Sequence, residues 1–304
     1  MTDLVRLYVH PEADYLDDRY AGCIIEVIPA LPNDAPRPCL WASPTHLELH
    51  VADRRLSGVW VSVTDLTRRA RQGSDLTRAC GRLVDMTVLD PMAGWGIDGV
   101  LLAAAGARVV MIEREPLLAL LLHDLLRRLK SSAGVSDGGR ARILIEDDVI
   151  GQSLIGDNVM ASSSTEGSLV ERSATAGSRA VQVHCADGYG VLTGASSRHA
   201  CAAVSGLQDA RDYDIVYLDP MFPERDKHAL PNKRMQAVAS LFDDDQARPS
   251  VGLGAWVTSA RERARRRVVL KRRLRDPVEF APDWQIRGRS VRYDVWRGLA
   301  SALS

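Results

Sequence analysis

Tyr213-Asp214-Ile215-Val216-Tyr217-Leu218-Asp219-Pro220-Met221-Phe222 reads as a strand that ends on reactive groups. Ile215 to Leu218 is a short apolar run rich in β-formers, the pattern of a buried strand. Pro220 has no N–H and cannot extend a ladder, so the chain must leave the sheet after Asp219. A carboxylate, a proline carbonyl and an aromatic ring are thereby set at the carboxyl end of a strand. Open α/β sheets bind their ligands at that edge. Strand-Asp-Pro is also a plain exit from a sheet in many folds, so the flanking chain has to decide.

Upstream, β and α patterns alternate. Thr87-Val88-Leu89 is a strand ending at Asp90, and Pro91 to Gly96 is a glycine turn. Ile97 to Ala105 is a helix stopped by Gly106. Arg108 to Ile112 is a second strand ending at Glu113, and Pro116 opens a Leu-rich helix to about Lys130. Arg142 to Ile145 is expected as the third strand, and Ala180 to His184 resumes the sheet before Ala186-Asp187-Gly188. Such strand–helix–strand units imply a parallel sheet with right-handed crossovers. Downstream, Pro231 to Phe242 and Val251 to Arg263 are helical, and Arg267 to Lys271 is a strand with basic ends. Trp284 to Ile286 and Val291 to Trp296 form a closing hairpin through Gly288.

Residues 1–72 read as a small α+β portion ahead of the main domain, residues 73–304. Val5 to Val9, His46 to Val51 and Val59 to Val63 are taken as strands of an antiparallel meander, with Pro29 to Pro44 as loop. Asp75 to Val84 is a helix capped by Ser74. His46 and His50 share a strand face, expected to be exposed, and no carboxylate or third ligand is read at metal-site spacing, so no metal is expected. The Ser-rich stretch at about 148–178 is too poor in apolar residues to bury a core and reads as a flexible surface insertion.

At 304 residues and 46% apolar content the chain is globular, with room for a sizeable core. No apolar run reaches the length of a membrane span, and Met1 to Arg6 lacks a secretory pattern. The five cysteines are odd in number, scattered and without a Cys-x-x-Cys pair, which points to a reducing cytoplasm. The net charge of zero does not by itself announce a nucleic-acid binder. Local arginine density at Arg261 to Arg275 and at Arg68, Arg69 and Arg71 leaves phosphate contact and a solvated face both open.

Gly94-x-Gly96-x-x-Gly99 matches a nucleotide-binding fingerprint. Asp90, four residues before the first glycine, would oppose a pyrophosphate but suits a cofactor bearing a sulfonium and an ammonium group. Glu113 is placed to hold ribose hydroxyls in either case. The balance favours S-adenosylmethionine over a nicotinamide.

Together these residues resemble the RsmJ-type ribosomal RNA guanine-N2 methyltransferases. The likeness runs from about Pro44 to the C-terminus. It rests on Pro44-Thr45-His46-Leu47-Glu48-Leu49, the glycine turn with Asp98, Glu113-Arg114, Tyr217 to Pro223, and Arg267 to Arg272. It implies a Rossmann-like class I methyltransferase fold, with a mostly parallel seven-stranded sheet, acting on 16S rRNA or the small ribosomal subunit. Family cofactor contacts fall on Ile97 and Asp98, Glu113 and Arg114, Ala186 and Asp187, and Asp219, beside Asp90, Gly94 and Gly96 from the turn itself. Where the family has arginine and a serine pair, this chain has Ile97 and Ala186-Asp187.

In the implied reaction Asp219 and the Pro220 carbonyl accept the N–H groups of an exocyclic guanine amine, and Phe222 stacks on the base. Lys227, Lys233 and Arg234 are placed to meet RNA phosphate. Two other readings stay open: an NAD-dependent oxidoreductase using the glycine turn, and a catalytically silent RNA-binding relative.

Overall fold

The computed structural model describes residues 5–17, 20, 23–133, 143–145, 179–194, 213–220, 233–241 and 251–299. The Ser-rich stretch, Phe222 and Lys227 lie outside the described residues.

The N-terminal portion forms a four-stranded sheet from β1 (Arg6–Val9), β2 (Ile24–Val27), β3 (Cys39–Ala42) and β4 (Leu47–His50), in the order β2-β1-β3-β4. It is not the expected meander. β1 runs parallel to both β2 and β3, and only β3 and β4 pair antiparallel. The Pro-rich stretch hides β3, because Cys39, Leu40 and Ala42 are buried and override the loop signal of the prolines around them. Val59 to Val63 is not a strand either. Val59 makes a single bridge to Leu49, and Ser62 then caps α1 (Val63–Ala70) by accepting a hydrogen bond from the Asp65 N–H. An N-cap serine at this point outweighs the β-branched pattern. Ser74 likewise caps α2 (Asp75–Cys80) in a reciprocal box with Thr77; the helix stops at Gly81, four residues short of the expected end.

The main sheet contains β5 (Thr87–Asp90), β6 (Arg108–Glu113), β7 (Ile143–Ile145), β8 (Arg179–Cys185), β9 (Tyr213–Leu218), β10 (Ala264–Arg273), β11 (Trp284–Arg287) and β12 (Val291–Arg297). Among the described residues their order is β11-β12-β10-β9-β5-β6-β8-β7. β12 runs against its two neighbours and the remaining pairs are parallel. The expected third strand, β7, is an eighth strand at the edge, and β8 takes the place beside β6. The seven-stranded expectation therefore holds with one strand added.

Helices α3 (Ile97–Ala104), α4 (Pro116–Ala133), α5 (Gly188–Thr193), α6 (Lys233–Ala239) and α7 (Leu253–Arg263) complete the described α-helices. Alternate residues of β9 feed opposite faces of the sheet. Ile215 and Tyr217 join α1 to α4 in one apolar cluster, while Val216 and Leu218 join α5 and α7 in another. A strand covered on both sides reads as an uninterrupted apolar run, which is how it appeared in the sequence.

A third cluster packs the N-terminal sheet onto α4 and α6 through Leu7, Leu40, Leu47, Leu117, Leu121 and Val238. Asp124 of α4, fully buried, ties this junction. Its carboxylate accepts from the Leu47 N–H at 3.1 Å, from Arg127 at 2.6 Å and from Arg128 at 2.7 Å. Arg127 and Arg128 continue to the carbonyls of Thr45 and Val61.

Candidate functional site

Because β6, β5, β9 and β10 are parallel neighbours, their carboxyl ends form one row. Asp90 ends β5, Glu113 ends β6, and Asp219 follows β9. The glycine turn leaves from the first of these. Gly94 and Gly96 have φ of 53° and 67°, values that L side chains adopt only under strain. A Cβ at Gly96 would lie 2.1 Å from Leu122 Cδ2, so this glycine lets the turn seat on α4. A Cβ at Gly94 would meet nothing within 4 Å, so the backbone there borders open space.

Glu113 holds the turn from below. One carboxylate oxygen accepts the Gly94 N–H at 2.8 Å and the other accepts the Glu115 N–H at 2.8 Å. Each oxygen keeps a second lone pair, so a diol could still be held there. Ala186 N–H donates to the Glu113 carbonyl, and Asp187 caps α5 by accepting from Gly190 at 2.7 Å. Gly188 lies so close to Pro91 that a Cβ would sit 1.9 Å from the Pro91 oxygen. The Ala186-Asp187 pair is thus held beside the glycine turn. Ile97 packs half-buried on the main core, and Arg114 is exposed.

The acceptor side centres on Asp219 and buried Pro220. Lys271 of β10 donates to Asp219 Oδ2 at 2.7 Å and to Asp98 Oδ2 at 2.7 Å. Tyr217 OH donates to the same Asp98 oxygen at 2.6 Å. Burial opposes charge on Asp98, but the lysine and the phenol outweigh it and hold the carboxyl below its ordinary range. Asp219 lacks the phenol. Burial pushes it up to about 6 in spite of the lysine, with repulsion from Asp98 adding to the rise. Asp90, only 1% exposed, is pushed well above the carboxylate range by burial and by Asp219. Glu113 is raised chiefly by burial as well.

Asp90, Gly94, Gly96, Ile97, Asp98, Glu113, Ala186, Asp187, Asp219 and Pro220 all lie along this edge. Lys233 and Arg234 begin α6. Lys233 Nζ donates to the Ser57 carbonyl at 2.7 Å, and the Arg234 carbonyl accepts from Trp95 Nε1 at 3.3 Å. Three cations of the arginine-dense run are engaged by backbone carbonyls. Arg261, Arg263 and Arg267 cap the carbonyls of Arg297, Leu192 and Ala79, at the amino end of β10, away from Asp219. Glu48 corrects the reading of the two histidines. It lies between them, 3.2 Å from each ring, and all three are half-buried. Among the described residues no group of three or more His, Cys, Asp or Glu is arranged to hold a metal.

Lys271, Tyr217 and Trp95 were missed as site residues. Lys271 was visible as the basic end of a strand, but its partner depends on register. Leu270 lies opposite Leu218, so Lys271 comes level with Asp219.

The row of acids suits S-adenosylmethionine. An ammonium and a sulfonium would relieve the cost of burying Asp90, and the open backbone at Gly94 gives room for close approach.

A family model described as "Putative SAM-dependent methyltransferase" matches residues 28–154 and 192–298. The ribosomal RNA small subunit methyltransferase J of Alkalilimnicola ehrlichii is 32% identical, over 77% of this chain and 71% of its own length. That of Magnetococcus marinus is 30% identical, over 84% and 83%. A SAM-dependent methyltransferase from Neisseria gonorrhoeae superposes with a TM-score of 0.59 at 20% identity, covering 96% of this chain and 95% of that one.

Proposed function

The chain belongs to the SAM-dependent methyltransferases, in the ribosomal RNA small subunit methyltransferase J family, and from that premise we propose that it methylates the exocyclic N2 amine of a guanosine in 16S rRNA. The observation that carries this reading is the adjacency of the glycine turn and Asp219 on one row of strand tips, bridged by Lys271. Residues 73–304 would carry the transfer, with the four-stranded sheet of residues 1–72 packed on α4 and α6 and α1 joining the main core. The reaction would take place in the cytoplasm, where ribosomal RNA is found.

S-adenosylmethionine supplies an electrophilic methyl group when bound. Asp90, Asp98, Glu113 and the glycine turn would hold it, with Ala186 and Asp187 at its side. Asp219 accepts one N–H of the acceptor amine and the Pro220 carbonyl accepts the other. This draws the nitrogen lone pair out of conjugation with the ring. Phe222, assigned by the sequence motif alone, would stack on the base, a contact worth roughly 1–3 kcal/mol and indifferent to base identity. As the N–C bond forms and the S–C bond breaks, the amine becomes acidic, and its proton passes to Asp219 or to solvent. Positioning supplies most of the rate. The guanine must be unpaired or flipped out to reach Asp219.

The test is methyl incorporation into unmodified small ribosomal subunits and into naked 16S rRNA, with Asp219→Ala alongside. The wild type labels one guanine N2 and the variant does not, while both show the same urea unfolding midpoint. Equal labelling by the two proteins removes Asp219 from the mechanism.

A further inference from the structure

We propose that Lys271 is a positioning residue for the methyl transfer: its ammonium fixes the Asp219 carboxylate toward the acceptor and ties it to Asp98 at the start of the cofactor helix. This rests on the assignment of Asp219 given above.

The geometry follows from strand alternation. Tyr217 and Val269 point to the α3 face of the sheet, so Asp219 and Lys271, each two residues on, point there too. Asp98, in the first turn of α3, meets them from above. Lys271 Nζ lies 2.7 Å from one oxygen of each acid, and its side chain is 24% exposed. An ammonium has three donors in no fixed plane, so it can serve two acids on different elements. The contact from Lys271 to Asp219 uses Oδ2, and Oδ1 would take the amine.

Charge balance gives the second half of the role. Among the described residues, the titratable and charged groups around the pair are Asp98 on α3, Asp90 on β5, Tyr217 on β9, Tyr293 on β12, Cys80 on α2 and Arg69 on α1. Lys271 is the one cation among the described residues that hydrogen-bonds Asp219. Without it Asp98 and Asp219 would face each other, and two adjacent carboxyls do not both ionise readily. Asp98 keeps the Tyr217 hydroxyl, so Asp219 would take the proton and lose its power to accept from the substrate.

The test compares wild type, Lys271→Met, Lys271→Gln and Lys271→Arg in single-turnover methyl transfer from pH 5 to pH 9. Wild-type activity should rise through about pH 6 as Asp219 ionises. Loss of a cationic neighbour moves a carboxyl by about 1–3 units. The neutral variants should therefore fall by about ten-fold at pH 7 and recover toward pH 9, for a two-unit displacement. Lys271→Arg should keep the acid limb near the wild-type position even where its rate is lower.

Carboxyl-labelled aspartate NMR, with Asp219→Asn identifying the resonance, gives the same titration without any substrate. A rate lost equally at every pH, with an unmoved Asp219 midpoint, overturns the proposal. A wild type that labels no RNA overturns the function proposed above, while the NMR midpoints still decide the role of Lys271.

Discussion

Two glycines two residues apart should fail in different ways when each is replaced by alanine. Gly94 and Gly96 both have positive φ, so either alanine carries about 1–2 kcal/mol of left-handed backbone strain. At Gly94 that is the whole cost to the fold, because the new methyl has no neighbour within 4 Å. At Gly96 the methyl would sit 2.1 Å from Leu122 Cδ2, on a side chain only 1% exposed. Overpacking of a close-packed core adds about 1–3 kcal/mol. Gly96→Ala should therefore lose roughly 2–5 kcal/mol and Gly94→Ala about 1–2. Urea midpoints at unchanged slope measure the difference. Function should rank the other way for Gly94→Ala. Its methyl enters the space proposed for cofactor, so the Kd for S-adenosylhomocysteine, by calorimetry, should rise ten-fold or more, about 1.4 kcal/mol. Wild-type binding by Gly94→Ala, or equal loss of stability in the two variants, refutes the assignment of this turn.

Asp124→Ala should cost about 3–5 kcal/mol in denaturant unfolding, since it strands Arg128 and the Leu47 N–H at the junction of the two sheets. A cost below 1 kcal/mol would mean the junction does not depend on this carboxylate. Glu48 is held at about 2, first by hydrogen bonds from His46 and His50. A carboxyl depressed in the folded state stabilises above its unfolded value, near 4.5, and that contribution disappears as the pH falls toward 2. The span of about 2.5 units corresponds to roughly 3 kcal/mol at most. Glu48→Gln should flatten stability against pH in that window, and an unchanged profile would remove the two ring contacts as its source.

The sequence by itself determined the main elements and which acids share one sheet edge. Strand patterns that stop at Asp90, Glu113 and Asp219, with helices between the strands, place those acids at one sheet edge, because parallel strands share an orientation. The glycine turn announced close approach to a ligand. Other features followed from tertiary structure alone. Register brought Lys271 level with Asp219 and made one cation of a basic strand end the bridge between two acids. Burial turned Cys39 to Ala42 into a strand despite the prolines around it, and a serine cap turned Val63 into the start of a helix. Packing spent Arg263 and Arg267 on helix carbonyls, far from any phosphate role at Asp219. Local patterns encode where the backbone turns and which face it hides. Which charges meet depends on distances set only when the strands and helices have packed.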